Sequence, residues 1–124
     1  MTRKEFENLV CKAYKIKADY PFEGDLETGV FRHTGSGKWF AIAMKVALKK
    51  LGRAGEGMLD IANLKCPPEI VESLVGGEEG IYPAYHMNKM HWLTVDLGEC
   101  APGTVSWLLK ISFELTSRKK GGNT

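Results

Sequence analysis

The spacing of hydrophobic positions changes along the chain, and each change marks an element. Phe6, Leu9, Val10 and Ala13 recur at helical spacing, and Thr2 with Glu5 three residues on forms a capping box in front of them. This predicts a first helix that has ended by Tyr20, because Pro21 disfavours helical geometry at the residue before it. Lys12, Lys15 and Lys17 lie toward its C-terminal end, where positive charge suits the helix dipole. A loop with Pro21, Gly24 and Gly29 follows. Val30 to His33 and Lys38 to Val46 then read as strands, joined through the turn residues Thr34-Gly-Ser-Gly37. Alternation along the second strand sets Phe40, Ile42, Met44 and Val46 on one face, expected to meet the core. Trp39, Ala41, Ala43 and Lys45 take the other. Ala47 to Gly57 reads as a basic, glycine-rich turn. Met58 to Lys65 reads as a third strand. Leu59 and Ile61 are in phase there but Leu64 is not, which predicts a bulge near Ala62-Asn63.

Cys66-Pro67-Pro68-Glu69 stops that strand and opens a short helix, since proline suits a first helical turn. Ile70, Val71 and Leu74 supply its buried side, and Gly76-Gly77 ends it. A closing helix is expected from Thr104 to about Ser117, with Val105, Leu108, Leu109 and Ser112 in one stripe. Residues 118–124, which open Arg118-Lys119-Lys120, read as a flexible basic tail. The order is helix, three strands, helix, two strands, helix. The expected architecture is one α+β domain over residues 1–117, an antiparallel sheet with helices mainly on one face. Phe6, Leu9, Val10, Phe40, Ile42, Leu93, Val95, Leu108 and Leu109 are its expected core.

The most informative stretch is Tyr82 to Val95. Two β-compatible runs meet at Asn88-Lys89, and asparagine tolerates the positive φ of a tight turn. With the turn there, His86 opposes His91 and Tyr85 opposes Trp92. One face then carries Ala84, His86, His91, Leu93, Val95 and Leu97 and packs on the core. The other carries Tyr85, Met87, Met90, Trp92, Thr94 and Asp96, and sets its aromatic and methionine side chains beside Lys89 as a contact surface.

A chain of 124 residues is one domain by size and long enough to bury a core without disulfides or metal. No apolar run approaches the roughly 20 residues of a membrane span, and the N-terminus lacks a signal peptide's apolar segment. The cytoplasm is the expected location, with no membrane partner. Three widely spaced cysteines, 11, 66 and 100, fit reduced thiols rather than a disulfide framework. The net charge of +2 permits nucleic-acid binding without demanding it.

Catalytic motifs are missing. There is no nucleophile elbow, His-Glu-x-x-His or paired-carboxylate motif, although Cys66 or Cys100 beside a histidine would make a nucleophile–base pair. Gly35-Ser36-Gly37-Lys38 resembles part of a phosphate loop but lacks the first glycine and precedes a strand. The expectation is a protein that is not an enzyme and needs no cofactor. His86 and His91, opposed across the predicted hairpin, are the candidate metal pair, with Cys66 or His33 as a third ligand. The alternative sets both imidazoles at the sheet rim, bonded to backbone or to each other.

The chain resembles the MmcQ/YjbR family of small bacterial proteins. Tyr20-Pro21-Phe22, Gly37-Lys38-Trp39-Phe40, Asn63-Leu64-Lys65-Cys66-Pro67-Pro68-Glu69 and Tyr85-His86-Met87-Asn88-Lys89-Met90-His91-Trp92 carry the likeness, with Ser112-Phe113-Glu114-Leu115 in the last helix. The resemblance implies an α/β fold compared with bacterial frataxin homologues and secretion chaperones, and DNA binding through two β-hairpin wings. Two departures stand out: Met90 replaces a common basic residue, and Pro67 replaces an aspartate.

On the DNA-binding reading, Lys45, Lys49, Lys50 and Arg53 at the first tip and Lys89 at the second neutralise phosphates of double-stranded DNA. Tyr85 and Trp92 stack or wedge, and Asn88 contacts a base edge or the backbone. The competing reading is a protein-interaction or chaperone-like module that uses the Tyr85, Trp92 and methionine face. Either suits a monomer or a weak dimer.

Overall fold

Thr2 Oγ1 accepts from the Glu5 amide at 3.0 Å while the Glu5 carboxylate accepts from the Thr2 amide at 2.7 Å. The capping box thus satisfies two backbone donors that have no partner within the helix. Helix α1 runs Arg3–Tyr14 and ends at Lys15 in the left-handed region. In this computed structural model, which describes residues 1–117, the elements follow in the predicted order. They are β1 (Gly29–Arg32), β2 (Trp39–Ala47), β3 (Met58–Lys65), α2 (Pro68–Leu74), β4 (Ile81–Pro83), β5 (Trp92–Asp96) and α3 (Pro102–Ser117). The predicted basic tail, residues 118–124, lies outside the described residues.

The strands form an antiparallel sheet in the order β1-β2-β3-β5-β4. Among the described residues, α1, α2 and α3 cover one face, and the fold is α+β. The register lays out rows of side chains across the sheet. Phe31, Ala41, Leu64 and Leu93 form one row, and Ala43, Ala62, Val95 and Ile81 form another. Both rows belong to the buried cluster that holds Phe6, Val10, Val105, Leu108 and Leu109. Phe6 meets Phe31 edge to face, with centroids 5.8 Å apart.

The predicted faces of β2 need correction. Arg32 pairs with Trp39 but Phe31 pairs with Ala41, so the irregularity in the sheet falls at Phe40. That shift carries Phe40 to the helix face with Ala41 and Ala43. Ile42 is buried too, but in the row Val30–Ile42–Asn63–Thr94–Tyr82 on the opposite face.

The bulge expected at Ala62-Asn63 is not there, because β3 pairs with β2 without interruption from Met58 to Leu64. The phase of β3 breaks for another reason. Ile61 and Asn63 are buried on one face and Ala62 and Leu64 on the other, so both faces are covered and simple alternation disappears.

The first tip is also more structured than a plain turn: Leu48–Leu51 forms a 3-10 turn before the glycines. The predicted core residues are buried, with Ile42 on the opposite sheet face and Leu9 half-buried at the edge of the cluster.

Candidate functional site

The second tip departs most from expectation. β4 and β5 pair as Ile81 with Val95, Tyr82 with Thr94 and Pro83 with Leu93, one residue out of the predicted register. The ladder stops at Pro83, and residues 84–91 form a loop rather than a two-residue turn. His86 does not oppose His91, and Tyr85 does not oppose Trp92.

A buried polar pair shapes this loop. Asn63 and Thr94 are neighbours on β3 and β5, and both are fully buried. The Tyr85 amide donates to Thr94 Oγ1 at 2.8 Å, and Asn63 Nδ2 donates to the Tyr85 carbonyl at 3.0 Å. The Thr94 hydroxyl in turn donates to Asn63 Oδ1. The two side chains therefore do for Tyr85 what a neighbouring strand would, and they fold the loop over the sheet face that the helices leave open.

At the far end, Asn88 closes the tip. Its Oδ1 accepts from the Met90 and His91 amides at 2.8 and 3.2 Å, and its carbonyl accepts from the Trp92 amide at 3.0 Å. The oxygen expected to read a base edge is engaged in this turn.

Two of the expected basic residues are paired internally. Lys45 Nζ lies 3.0 Å from Asp60 Oδ1. Arg53 donates to the buried Asp96 carboxylate at 2.7 Å and lies 3.5 Å from Glu99, which also accepts from the Tyr82 hydroxyl at 2.8 Å. Burial, followed by that Glu99 contact, holds the Tyr82 hydroxyl above its ordinary pKa. Lys49 and Lys50 are exposed on the 3-10 turn, and Lys89 is exposed on the loop.

The fold brings the two tips together. Lys50, Leu51, Tyr82, Tyr85, His86 and Lys89 line one cleft of about 290 Å³. Trp92, half-buried at the start of β5 beside Lys65, is not among its lining residues.

A second cleft, of about 530 Å³, lies on the open face of the sheet, and sequence reasoning missed it. Phe22, Trp39, Ile42, Met44, Tyr85 and Met87 supply most of its wall. Phe22 stands edge-on to Trp39, with centroids 6.0 Å apart. The signal was present in Tyr20-Pro21-Phe22, which leaves a large aromatic in a proline loop without a partner on its own element.

The Cys66 amide donates to the His91 carbonyl at 2.9 Å, but the histidines and cysteines do not gather into one site among the described residues. His33 Nε2 bonds with Thr116 Oγ1 at 2.8 Å and packs against Phe40 and Phe113. Cys66 lies in the core, where burial pushes its thiol up to about 12. Burial likewise raises Cys100, helped by the charge of Glu78. Neither thiol supplies a thiolate near neutral pH. Neither Cys66 nor His33 completes a site with the exposed His86 and His91. Among the described residues, no three His, Cys, Asp or Glu side chains are placed to hold a metal. Nor is any described helix long and apolar enough to cross a membrane.

Together the sheet and its one-sided helices define a small α+β protein. The chain belongs to the YjbR family, whose pattern matches residues 4–115. It is 42% identical over 117 residues to the uncharacterized protein YyaQ of Bacillus subtilis, covering 94% of this chain and 98% of that one. A crystal structure of a Pseudomonas syringae protein superposes with a TM-score of 0.90 at 41% identity, covering 94% of this chain and 99% of that one. A Deinococcus radiodurans protein, 24% identical with a TM-score of 0.71, covers 98% of this chain and 83% of that one and shares the fold.

Proposed function

We propose that the protein binds the phosphate backbone of DNA through Lys49, Lys50 and Lys89, with Tyr85 between the two tips. One observation carries this reading. Lys50 and Lys89 come from tips far apart in sequence, yet they line the same cleft with Tyr85. Two ammonium groups beside an aromatic ring suit a phosphate chain, because lysine neutralises phosphates and the ring gives the sugar or base an apolar surface. Lys45 and Arg53 belong to the fold rather than to the DNA contact, since each has its own carboxylate.

The role is binding rather than catalysis. The buried Cys66 and Cys100 thiols offer no nucleophile. The working state is a cytoplasmic monomer or weak dimer without a cofactor, and the free thiols of Cys11, Cys66 and Cys100 suit a reducing compartment.

The test is a titration of a short DNA duplex at two salt concentrations. Three phosphate contacts predict a slope of log affinity against log salt of about −3, at about −0.9 per contact. Lys50→Ala and Lys89→Ala should each flatten it by about one unit. A slope near zero, or one that these changes leave alone, overturns the DNA reading. A protein partner contacting Tyr85 and the exposed Met90 would then lead.

A further inference from the structure

The cleft on the open sheet face shares a wall with the lysine cleft: Tyr85 and His86 line both. Their rings lie 4.0 Å apart. His86 has φ 60, a left-handed backbone that non-glycine residues adopt sparingly. On one side of this wall are the Lys50 and Lys89 ammonium groups. On the other are the flat and sulfur-bearing side chains of Phe22, Trp39, Met44 and Met87.

One carboxylate reaches this apolar cleft. Asp25 accepts from the Thr28 hydroxyl at 2.6 Å and from the Thr28 and Glu27 amides at 2.9 and 2.8 Å. Those bonds, the Thr28 hydroxyl first, hold its carboxyl below the usual range, so it is anionic at neutral pH. Lys45, the cation at the same cleft, is paired with Asp60.

We propose that the open-face cleft takes an unpaired nucleobase while Lys50 and Lys89 hold the adjoining phosphates, so that the favoured ligand is single-stranded nucleic acid. The inference rests on the phosphate-binding reading above. Charge complementarity selects this occupant. A nucleotide joins a flat aromatic ring to an anion, and the two clefts offer aromatic walls beside ammonium groups across one shared boundary. Aromatic rings and thioethers accept the face of any base, so contact of this kind tolerates sequence. Asp25 offers an acceptor to a ring amino or imino N–H. Duplex DNA hides its base faces in the stack and fills only the lysine cleft, whereas an unpaired strand fills both.

The experiment compares three labelled probes of equal length: a single strand, its duplex, and an abasic deoxyribose-phosphate strand. The single strand should bind the wild-type protein more tightly than the other two. Phe22→Ala and Met87→Ala should each weaken single-strand binding by roughly 5- to 100-fold, toward the abasic level. Duplex affinity and the salt slope should not move. Phe22 is 43% exposed on a loop, so its truncation is expected to leave the fold intact, as a thermal melt will show. Should Phe22→Ala unfold, Met87→Ala decides. Duplex binding equal to or tighter than single-strand binding overturns the base site. So does a single-strand affinity that both variants leave unchanged. In either case, salt-dependent duplex binding leaves the phosphate reading standing. Absence of salt-dependent binding to all three probes overturns both.

Discussion

Asn63 and Thr94 stand side by side across β3 and β5, and between them they hold both backbone groups of Tyr85. Both side chains are fully buried, so each lost partner leaves a polar group out of reach of water. Thr94→Val removes the hydroxyl and strands the Tyr85 amide and Asn63 Oδ1 at once. Stability in urea should fall by about 1–3 kcal/mol. Thr94→Ser, which keeps the hydroxyl, should retain most of it. Amide exchange at Tyr85 should speed up in the valine variant. Equal stability of the two variants would show that this ring of bonds carries no weight.

That ring also marks where the sequence stopped being legible. The capping box at Thr2, the proline start of α2 and the limits of β3 depend on near neighbours, and they stand where the pattern placed them. Phe40 faces the core as expected, but Ile42 lies on the opposite face and Ala41 and Ala43 take the core side, because the irregularity in β2 is defined by its pairing with Phe31 and Arg32, on another strand. Leu64 fell out of phase because both faces of β3 are buried, which a single strand's pattern cannot distinguish from a bulge. The 84–91 loop depends on Asn63, far away in sequence. Lys45 and Arg53 looked like free cations for the same reason, since Asp60 and Asp96 lie on other strands. Tyr85 and Lys89 stood out as candidates, but the meeting of Lys89 with Lys50 in one cleft needed the sheet to bring two tips together.

Gly80 marks a close approach between the end of the α2–β4 connection and the end of the loop before α3. Its φ is 85, and a methyl group there would stand 2.6 Å from the Cys100 nitrogen and 2.7 Å from its Cα. Both are backbone atoms that cannot swing aside. Gly80→Ala should cost about 2 kcal/mol or more, through the clash and the left-handed backbone together. Gly103, near the start of α3, meets nothing within 4 Å. Gly103→Ala should stabilise by roughly 0.5–1 kcal/mol. Thermal melts of the two variants should move in opposite directions.

His33 should make the fold sensitive to mild acid. Burial lowers its pKa from the usual 6.5, with the charge of Lys38 acting the same way and a backbone hydrogen bond at Phe113 opposing both. The unfolded chain therefore takes up the proton at a higher pH than the folded protein. Its contribution to stability is complete above about 6.5 and is lost as the pH falls toward the folded pKa. The melting temperature should drop between pH 7.5 and 5.5, above the main titration of the carboxylates. His33→Gln, which keeps a bonding group for Thr116, should flatten that drop. An equally steep drop in the variant would assign the effect elsewhere.

Arg53 and Lys50 are close in sequence and carry the same charge, yet their replacement should produce opposite signatures. The Asp96 carboxylate that Arg53 meets has a side chain only 4% exposed, and it also accepts from the Gly98 amide at 3.0 Å. Glu99 and Tyr82 extend the same network. Arg53→Ala leaves a buried carboxylate without its cation and unties the first tip from the end of β5. Loss of one partner of a fully buried pair costs about 3–5 kcal/mol. The Arg53 side chain is about one-third exposed, so the expected loss is lower, about 1–3 kcal/mol. Lys50 is exposed and touches no carboxylate among the described ion pairs, so Lys50→Ala should leave the melting temperature within a degree or two. DNA binding reverses the order. A residue that neutralises a phosphate contributes about 0.9 to the salt slope, and one engaged with Asp96 contributes nothing. Lys50→Ala should flatten the slope, whereas Arg53→Ala should lower affinity by loosening the tip and keep the slope of the wild-type protein. Melting curves and two-salt titrations on the same two variants read both effects. A flattened slope in Arg53→Ala would mean that the guanidinium leaves Asp96 for a phosphate when DNA arrives, and the static pairing would then describe only the free protein.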